Sequence, residues 1–386
     1  MKKLIFFILF LVALYCVCPE PVKAEENDFE SVLSTLMDSL DGDDLNAELD
    51  GVWDSYGQAG GTLKDKLRSV ISGDFSANYS GAISAVGNMI FSGVRSLFPT
   101  LICVCLIALL YSFVKTLDPE FLSEGTDRIL YFTCYAAILG LIIYKAMDIA
   151  NECFGAVKVY AGQMDLVFPL IITVMTATGS EVSASVYTPA VAFLSNGITG
   201  VISAVVAPLT LFLIMFSAVS GLSQTLRTEK FTAFISSAIK WILGICLTVF
   251  TTFISVQGIT AGTYDGITLR VTKYAVGNSV PLVGGFLRDG AELFVASGVL
   301  IKNALGICGL FLVAGAFLAP LTELIAFTLF LKLAAGLIEP FTDTRMTDFI
   351  FGIAKNLNFV LASVLVACFM YVLTVVIMIF AGGAIL

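Results

Sequence analysis

Five ionisable residues in or beside apolar stretches, Glu181, Lys302, Glu323, Lys332 and Glu339, are the side chains best placed to do chemistry or to fix helices against one another. Lys332 is the clearest case. It lies inside the apolar run Leu321–Ile338, and an isolated charge in a membrane helix costs about 2.5–3.5 kcal/mol on insertion scales. Glu323 precedes it on the same run, about half a turn out of phase and about 13.5 Å away along the axis, so the two do not pair on one helix. If Pro320 opens an antiparallel hairpin, Lys302 falls level with Glu339 and a cross-hairpin pair is expected. Lys332 then either meets an acid on another helix or snorkels to an interface about two turns away. Glu181 is the only charge between Asp165 and Arg227. Such a carboxylate either binds a cation or proton in a cavity or faces water outside the membrane.

The absences narrow the chemistry further. The chain has 0 His, which excludes Ser/His and Cys/His catalysis, His-ligated zinc and histidine proton relays. There is no Walker A sequence, no dinucleotide fingerprint before a strand, no metal-spaced cysteine cluster and no glycosidase-type carboxylate pair. Gly284-Gly285 reads as turn chemistry, not as a phosphate loop. No catalytic residue, metal or cofactor is therefore expected, and the chain does not read as an enzyme. Its basic residues are too sparse for a nucleic-acid surface.

The elements that would hold these residues are membrane helices. Of 386 residues, 58% are hydrophobic and 13% charged, against roughly 45–50% and about 25% in soluble domains. The net charge of −9 is uneven. Residues 1–24 carry three basic and one acidic residue, 25–85 three and thirteen, and 86–386 fifteen and sixteen. The acidity belongs to one N-terminal region, and the body is nearly neutral.

Residues 1–24 read as a signal peptide: Lys2 and Lys3, then the apolar Leu4–Cys18, then small residues at Val22 and Ala24 ahead of cleavage before Glu25. The alternative is an uncleaved anchor helix. Either way, residues 25–85 are expected outside the cytoplasm as a small acidic helical region. Phe29, Val32, Leu33, Leu36, Met37 and Leu40 keep a helical period behind Asp28, and Thr62 with Asp65 begins a second helix over Leu63–Ile71 that stops at Gly73. Gly57, Gly60 and Gly61 mark a connection. The acidic face is either a solvated surface or a docking face. Of the cysteines, Cys103, Cys105, Cys134, Cys246, Cys308 and Cys368 sit in apolar runs and are expected to pack as small apolar residues, with Cys153 near a loop.

Residues 86–386 are expected to cross the membrane seven or eight times. Candidate spans are Leu97–Val114, Ile129–Tyr144, Gly200–Gly221, Trp241–Gln257, Asn303–Ala319, Leu321–Ile338 and Phe359–Phe380. Residues 166–195 read as a broken or re-entrant segment, because Leu166–Ala177 is short, contains Pro169 and runs into the polar stretch Thr178–Ser185. Loops are expected at 145–165, 258–290 and 340–358. Basic residues do not separate the two sides, so the orientation rests on the signal peptide. The fold class is thus all-α: a polytopic transmembrane helical protein with a small extracytoplasmic helical N-terminal region. The residues alone leave one functional reading open, a stand-alone secondary transporter for a small solute or ion.

Four blocks add a second reading. Gly262-Thr-Tyr-Asp-Gly-Ile-Thr-Leu-Arg-Val-Thr-Lys-Tyr274, Gly277-Asn-Ser-Val-Pro-Leu-Val-Gly-Gly285, Lys302-Asn-Ala-Leu-Gly-Ile-Cys-Gly309 and Lys332-Leu-Ala-Ala-Gly-Leu-Ile-Glu-Pro340 resemble the corresponding blocks of the stage III sporulation protein AE family. The resemblance implies a Firmicute endospore-former and a subunit of a channel or secretion-like complex in the mother-cell membrane around the forespore. The implied partners are the other membrane proteins of the stage III assembly, a cytoplasmic ATPase subunit, a forespore membrane partner reached through the assembly, and membrane lipid. On this reading Gly262, Asp265, Gly266, Arg270, Lys273, Asn278, Pro281, Gly284 and Gly285 form a shaped loop at the membrane surface. Glu181, Lys302, Glu323, Lys332 and Glu339 are buried polar contacts that specify helix packing or line a passage.

Overall fold

The computed structural model describes residues 32–37, 42–55, 61–72, 79–117, 124–222, 229–279, 284–340 and 344–381. Every regular element among them is helical: α1 (Asp43–Ser55), α2 (Leu63–Ser72), α3 (Tyr79–Leu117), α4 (Glu124–Ala177), α5 (Glu181–Ala192), α6 (Thr199–Val201), α7 (Ala207–Leu222), α8 (Glu229–Ser279), α9 (Gly284–Ile338) and α10 (Thr344–Phe380). Residues 32–37 are also helical. Two π-helical turns, Phe193–Ile198 and Ile202–Val206, flank α6. The signal segment 1–24, the Asp28 cap and Pro281 lie outside the described residues. Among the described residues, six helices are long and apolar enough to cross a membrane, so this is an all-α, multi-pass membrane protein.

Several expected loops are helix. Residues 145–165 are the interior of α4, which runs 54 residues without interruption, about 81 Å at 1.5 Å per residue and more than twice a bilayer core. Ile149, Cys153, Val157 and Tyr160 are buried there, so the stretch is a packed face that interleaves with charged residues. Cys153 is in this face, not beside a loop. Residues 258–279 continue α8. Gly262, Asp265, Gly266, Arg270, Lys273 and Asn278 are therefore helical, and Gly284 and Gly285 open α9. Isolated glycines cost a helix about 1 kcal/mol each, which weakens it without ending it. Residues 344–358 belong to α10.

Pro320 likewise fails to open a hairpin, and α9 runs through it for 55 residues. A proline removes one ladder hydrogen bond, a loss that packed membrane helices tolerate. Phe317, Leu321 and Leu324 are buried around it, and the Cys153 thiol donates to the Pro320 carbonyl at 3.5 Å. Lys302 and Glu339 consequently sit on one continuous helix about 55 Å apart, and the expected pair between them does not form.

The core is built around α9. It runs antiparallel to α4, with Tyr160 against Phe317 (5.0 Å between rings) and Lys145 against Glu323, and parallel to α3, with Phe98 edge-on to Phe330. Helix α10 returns antiparallel to α9. A Cβ on Gly306 would lie 2.4 Å from Ile379 Cγ1, and one on Gly309 would lie 3.2 Å from Val167 Cγ1. The α5–α7 path runs antiparallel to α10, through Thr199 with Tyr371 and Asn356 with the Leu213 carbonyl.

The N-terminal helices dock on this body. Leu45, Leu49, Leu63, Leu67 and Val70 are buried, while Asp43, Asp44 and Glu48 stay exposed. Helix α2 begins at a reciprocal cap. Thr62 donates from its backbone and hydroxyl to Asp65 Oδ2 at 3.0 and 2.7 Å. These bonds hold the Asp65 carboxyl below its ordinary range, so the cap is intact at neutral pH and is lost as pH falls through that depressed value. Asp65→Ala is expected to raise hydrogen exchange in the first turn of α2 at pH 7 and to remove its extra acid sensitivity below about pH 4.

Candidate functional site

The functional candidates are the polar contacts that join helices inside an otherwise apolar bundle. The first joins α4 to α9. Lys145 Nζ lies 2.9 Å from Glu323 Oε1 and 3.2 Å from Asp148 Oδ2, with the Lys145 and Glu323 side chains both shielded and Asp148 more open. Glu152 follows one turn later on α4 and is exposed. One base thus faces several acids, so the arrangement penalises loss of the lysine more than loss of any one acid. Lys145→Met is expected to destabilise by about 1–2 kcal/mol and Glu323→Gln by under about 1 kcal/mol. Thermal unfolding of the two variants in the same detergent compares them directly.

The second contact ties α9 to the end of α10. Lys302 is only 2% exposed, and its ammonium donates to the Ala381 carbonyl, just past the last residue of α10. A helix carries partial negative charge on its terminal carbonyls, which is where a cation is favoured.

A third set was not visible in the sequence. The Thr199 and Tyr371 hydroxyls share a hydrogen bond of 3.0 Å, and the Thr199 hydroxyl donates to the Leu194 carbonyl. The Tyr371 ring meets Tyr160 edge-on at 4.3 Å. Thr199 follows the first π-helical turn, and its N–H reaches the same Leu194 carbonyl five residues back, the bond that widens the helix there. The available signal was a lone threonine among small residues, which only the partner on α10 makes meaningful.

The interruption at 178–180 is a helix terminus whose last carbonyls are bonded by the residues that follow. Gly179 has φ 82°, its N–H bonds the Thr176 carbonyl, and the Ser180 N–H bonds the Met175 carbonyl. This is the Schellman arrangement, in which glycine supplies the left-handed residue. Thr178 packs against α9 so closely that a Cβ on Gly298 would lie 1.9 Å from its Cγ2. Glu181 opens α5 and is exposed, where a carboxylate suits the positive helix start.

The fourth contact holds the N-terminal helices. Lys66, 2% exposed, bonds Asp50 Oδ1 at 2.6 Å, Asn46 Oδ1 at 2.8 Å and the Asn46 carbonyl at 3.2 Å. Gln163 of α4 donates to Glu48 at 2.9 Å. The acidic region thus spends one of its carboxylates on the chain's own body.

Of the five expected buried contacts, Lys302 is buried and Glu323 is shielded in an ion pair, whereas Glu181, Lys332 and Glu339 are exposed. They are not brought together, because the unbroken α9 spreads four of them along its length. No set of three cysteine or acidic residues among the described residues is arranged to hold a metal ion. Among the described residues these contacts register helices, and none poises a nucleophile beside a base.

Comparison with known proteins adds the family. The model of the family described as Stage III sporulation protein AE matches residues 62–382. The chain is similar to the protein named Stage III sporulation protein AE from Bacillus subtilis (strain 168), at 24% identity over 320 residues that cover 83% of this chain and 80% of that relative. No solved structure matches the chain.

Proposed function

The chain belongs to the stage III sporulation protein AE family, and from that membership we propose that it is an integral membrane subunit of a sporulation channel or secretion-like complex. It is a sporulation-related, multi-pass membrane protein; on the proposed reading it sits in the mother-cell membrane around the forespore and supports forespore development. Its N-terminal helices lie on the extracytoplasmic side, and a cytoplasmic ATPase subunit supplies energy. Its other partners are the remaining stage III membrane proteins and, through them, a forespore membrane protein.

The observation that supports this reading, beside the family match, is that the ionised contacts among the described residues join helices. Lys145 pairs with Glu323 between α4 and α9, and Lys302 caps α10. A scaffold or conduit needs such registration and no catalytic group. Depleting the protein after engulfment, in a sporulating host that carries it as its sole copy, tests the reading. Late forespore gene expression is expected to fall while vegetative growth is unchanged. Normal spores after depletion would reject it.

A second reading, a stand-alone secondary transporter, draws on the helix terminus at 178–180 and the π-helical turns beside it. Interrupted helices line substrate sites in such proteins. Uptake of a solute by proteoliposomes containing only this chain would favour it.

A further inference from the structure

Lys332 lies on the outward, exposed face of α9, in a seam that no described residue covers. Ile325, Leu329 and Leu333 are 39, 60 and 53% exposed, and Leu337 is 55% exposed. Ile325, Leu329, Lys332 and Gly336 recur at intervals of four, three and four residues, the spacing with which one helix packs along another. A Cβ on Gly336 would meet nothing within 4 Å, so the seam is open where a small residue permits close approach. Lipid alone satisfies the leucines but not the ammonium. The nearest charges along this stretch are Glu323 on α9 and Glu339 just past its end, about 13.5 and about 10.5 Å from Lys332 along the axis. A lysine stem reaches about 6 Å, and it leans toward the helix start, away from the nearer level. The ammonium therefore reaches neither of these acidic levels. Lys332 has no ion pair among the described residues, whereas Glu323 is already held by Lys145.

We propose that this seam docks a transmembrane helix of another protein, one that offers a carboxylate at the depth of Lys332 and a small residue opposite Gly336. The lysine fixes both partner and register. A second copy of this chain is the poorer occupant, because two-fold pairing through the seam sets Lys332 against Lys332, and like charges facing each other in a low-dielectric layer repel. The proposal rests on the reading of the chain as a subunit of a membrane assembly, and it specifies where one neighbour binds.

The experiment places a photo-crosslinking amino acid at Leu333 in the full-length protein in sporulating cells, with Lys332 wild type, Lys332→Met or Lys332→Glu. Expected is one protein adduct whose crosslinked peptide is a membrane helix with an Asp or Glu. Its yield falls about tenfold in Lys332→Glu and returns when that acid is changed to Lys. Thermal melting of the variants in detergent stays at the wild-type value, because the Lys332 side chain is exposed on the outward face of α9. Adducts to lipid only, adducts to a second copy, or a yield indifferent to Lys332→Glu each overturn the proposal. Affinity purification of the wild-type chain separates the two levels. If the stage III proteins co-purify while Leu333 meets only lipid, the docking seam is wrong and the assembly stands. A charge-dependent adduct to a protein outside the assembly leaves the seam standing and removes the assembly.

Discussion

Replacing Lys302 by glutamate is expected to destabilise the bundle by about 3–5 kcal/mol, the range for an uncompensated buried charge. The side chain is 2% exposed and its partner is the Ala381 carbonyl at the end of α10. Glutamate puts a carboxylate where the helix presents its own negative end, in a site almost closed to solvent. Lys302→Met is the control. It removes the cation and its desolvation cost together, so it is expected to stay within about 1 kcal/mol of the wild type. The check is the thermal midpoint and the folded yield after extraction: Glu well below wild type and Met close to it. Equal losses for both would mean that the site needs a cation as such.

The second large effect concerns the closest approach of α9 and α10. A Cβ at Gly306 would lie 2.4 Å from Ile379 Cγ1 and 2.6 Å from Cδ1, and Ile379 is itself buried. Gly306→Ala must push the isoleucine off its rotamer or part the helices, a cost of about 1–3 kcal/mol. Ile379→Ala alone leaves a cavity and costs about 2–5 kcal/mol. The two together are expected to cost less than their sum by about 1 kcal/mol or more, because the added methyl occupies part of the space the isoleucine vacates. Strict additivity in a double-mutant cycle would show that the helices separate instead of packing locally.

The all-α membrane fold was legible in composition and apolar runs, because a bilayer leaves a chain of this apolarity few other solutions. The cap at Thr62 and Asp65 was legible because its geometry is local, set by residues three apart. Proline and glycine signal breaks in an isolated segment more strongly than a packed bundle obeys them. Pro320 and the glycines of 258–279 read as breaks, yet α9 and α8 run through them, since neighbouring helices supply what the local sequence withholds. A hairpin at Pro320 would set Lys302 level with Glu339, and the unbroken α9 separates them. Helix α1 went unread for the opposite reason: Leu45 and Leu49 give it only a short apolar face, and its burial against α4 is a tertiary fact. The Thr199 and Tyr371 hydroxyl pair joins residues |i−j|=172 apart, a separation at which no periodicity carries information.

The most direct test of the central claim is affinity purification of the full-length protein from membranes of sporulating cells under mild detergent, read by quantitative mass spectrometry. The expected result is co-elution with the other stage III membrane proteins and the cytoplasmic ATPase subunit, absent from vegetative membranes. Elution of the chain alone, with the other assembly members present in the same extract, would contradict the claim.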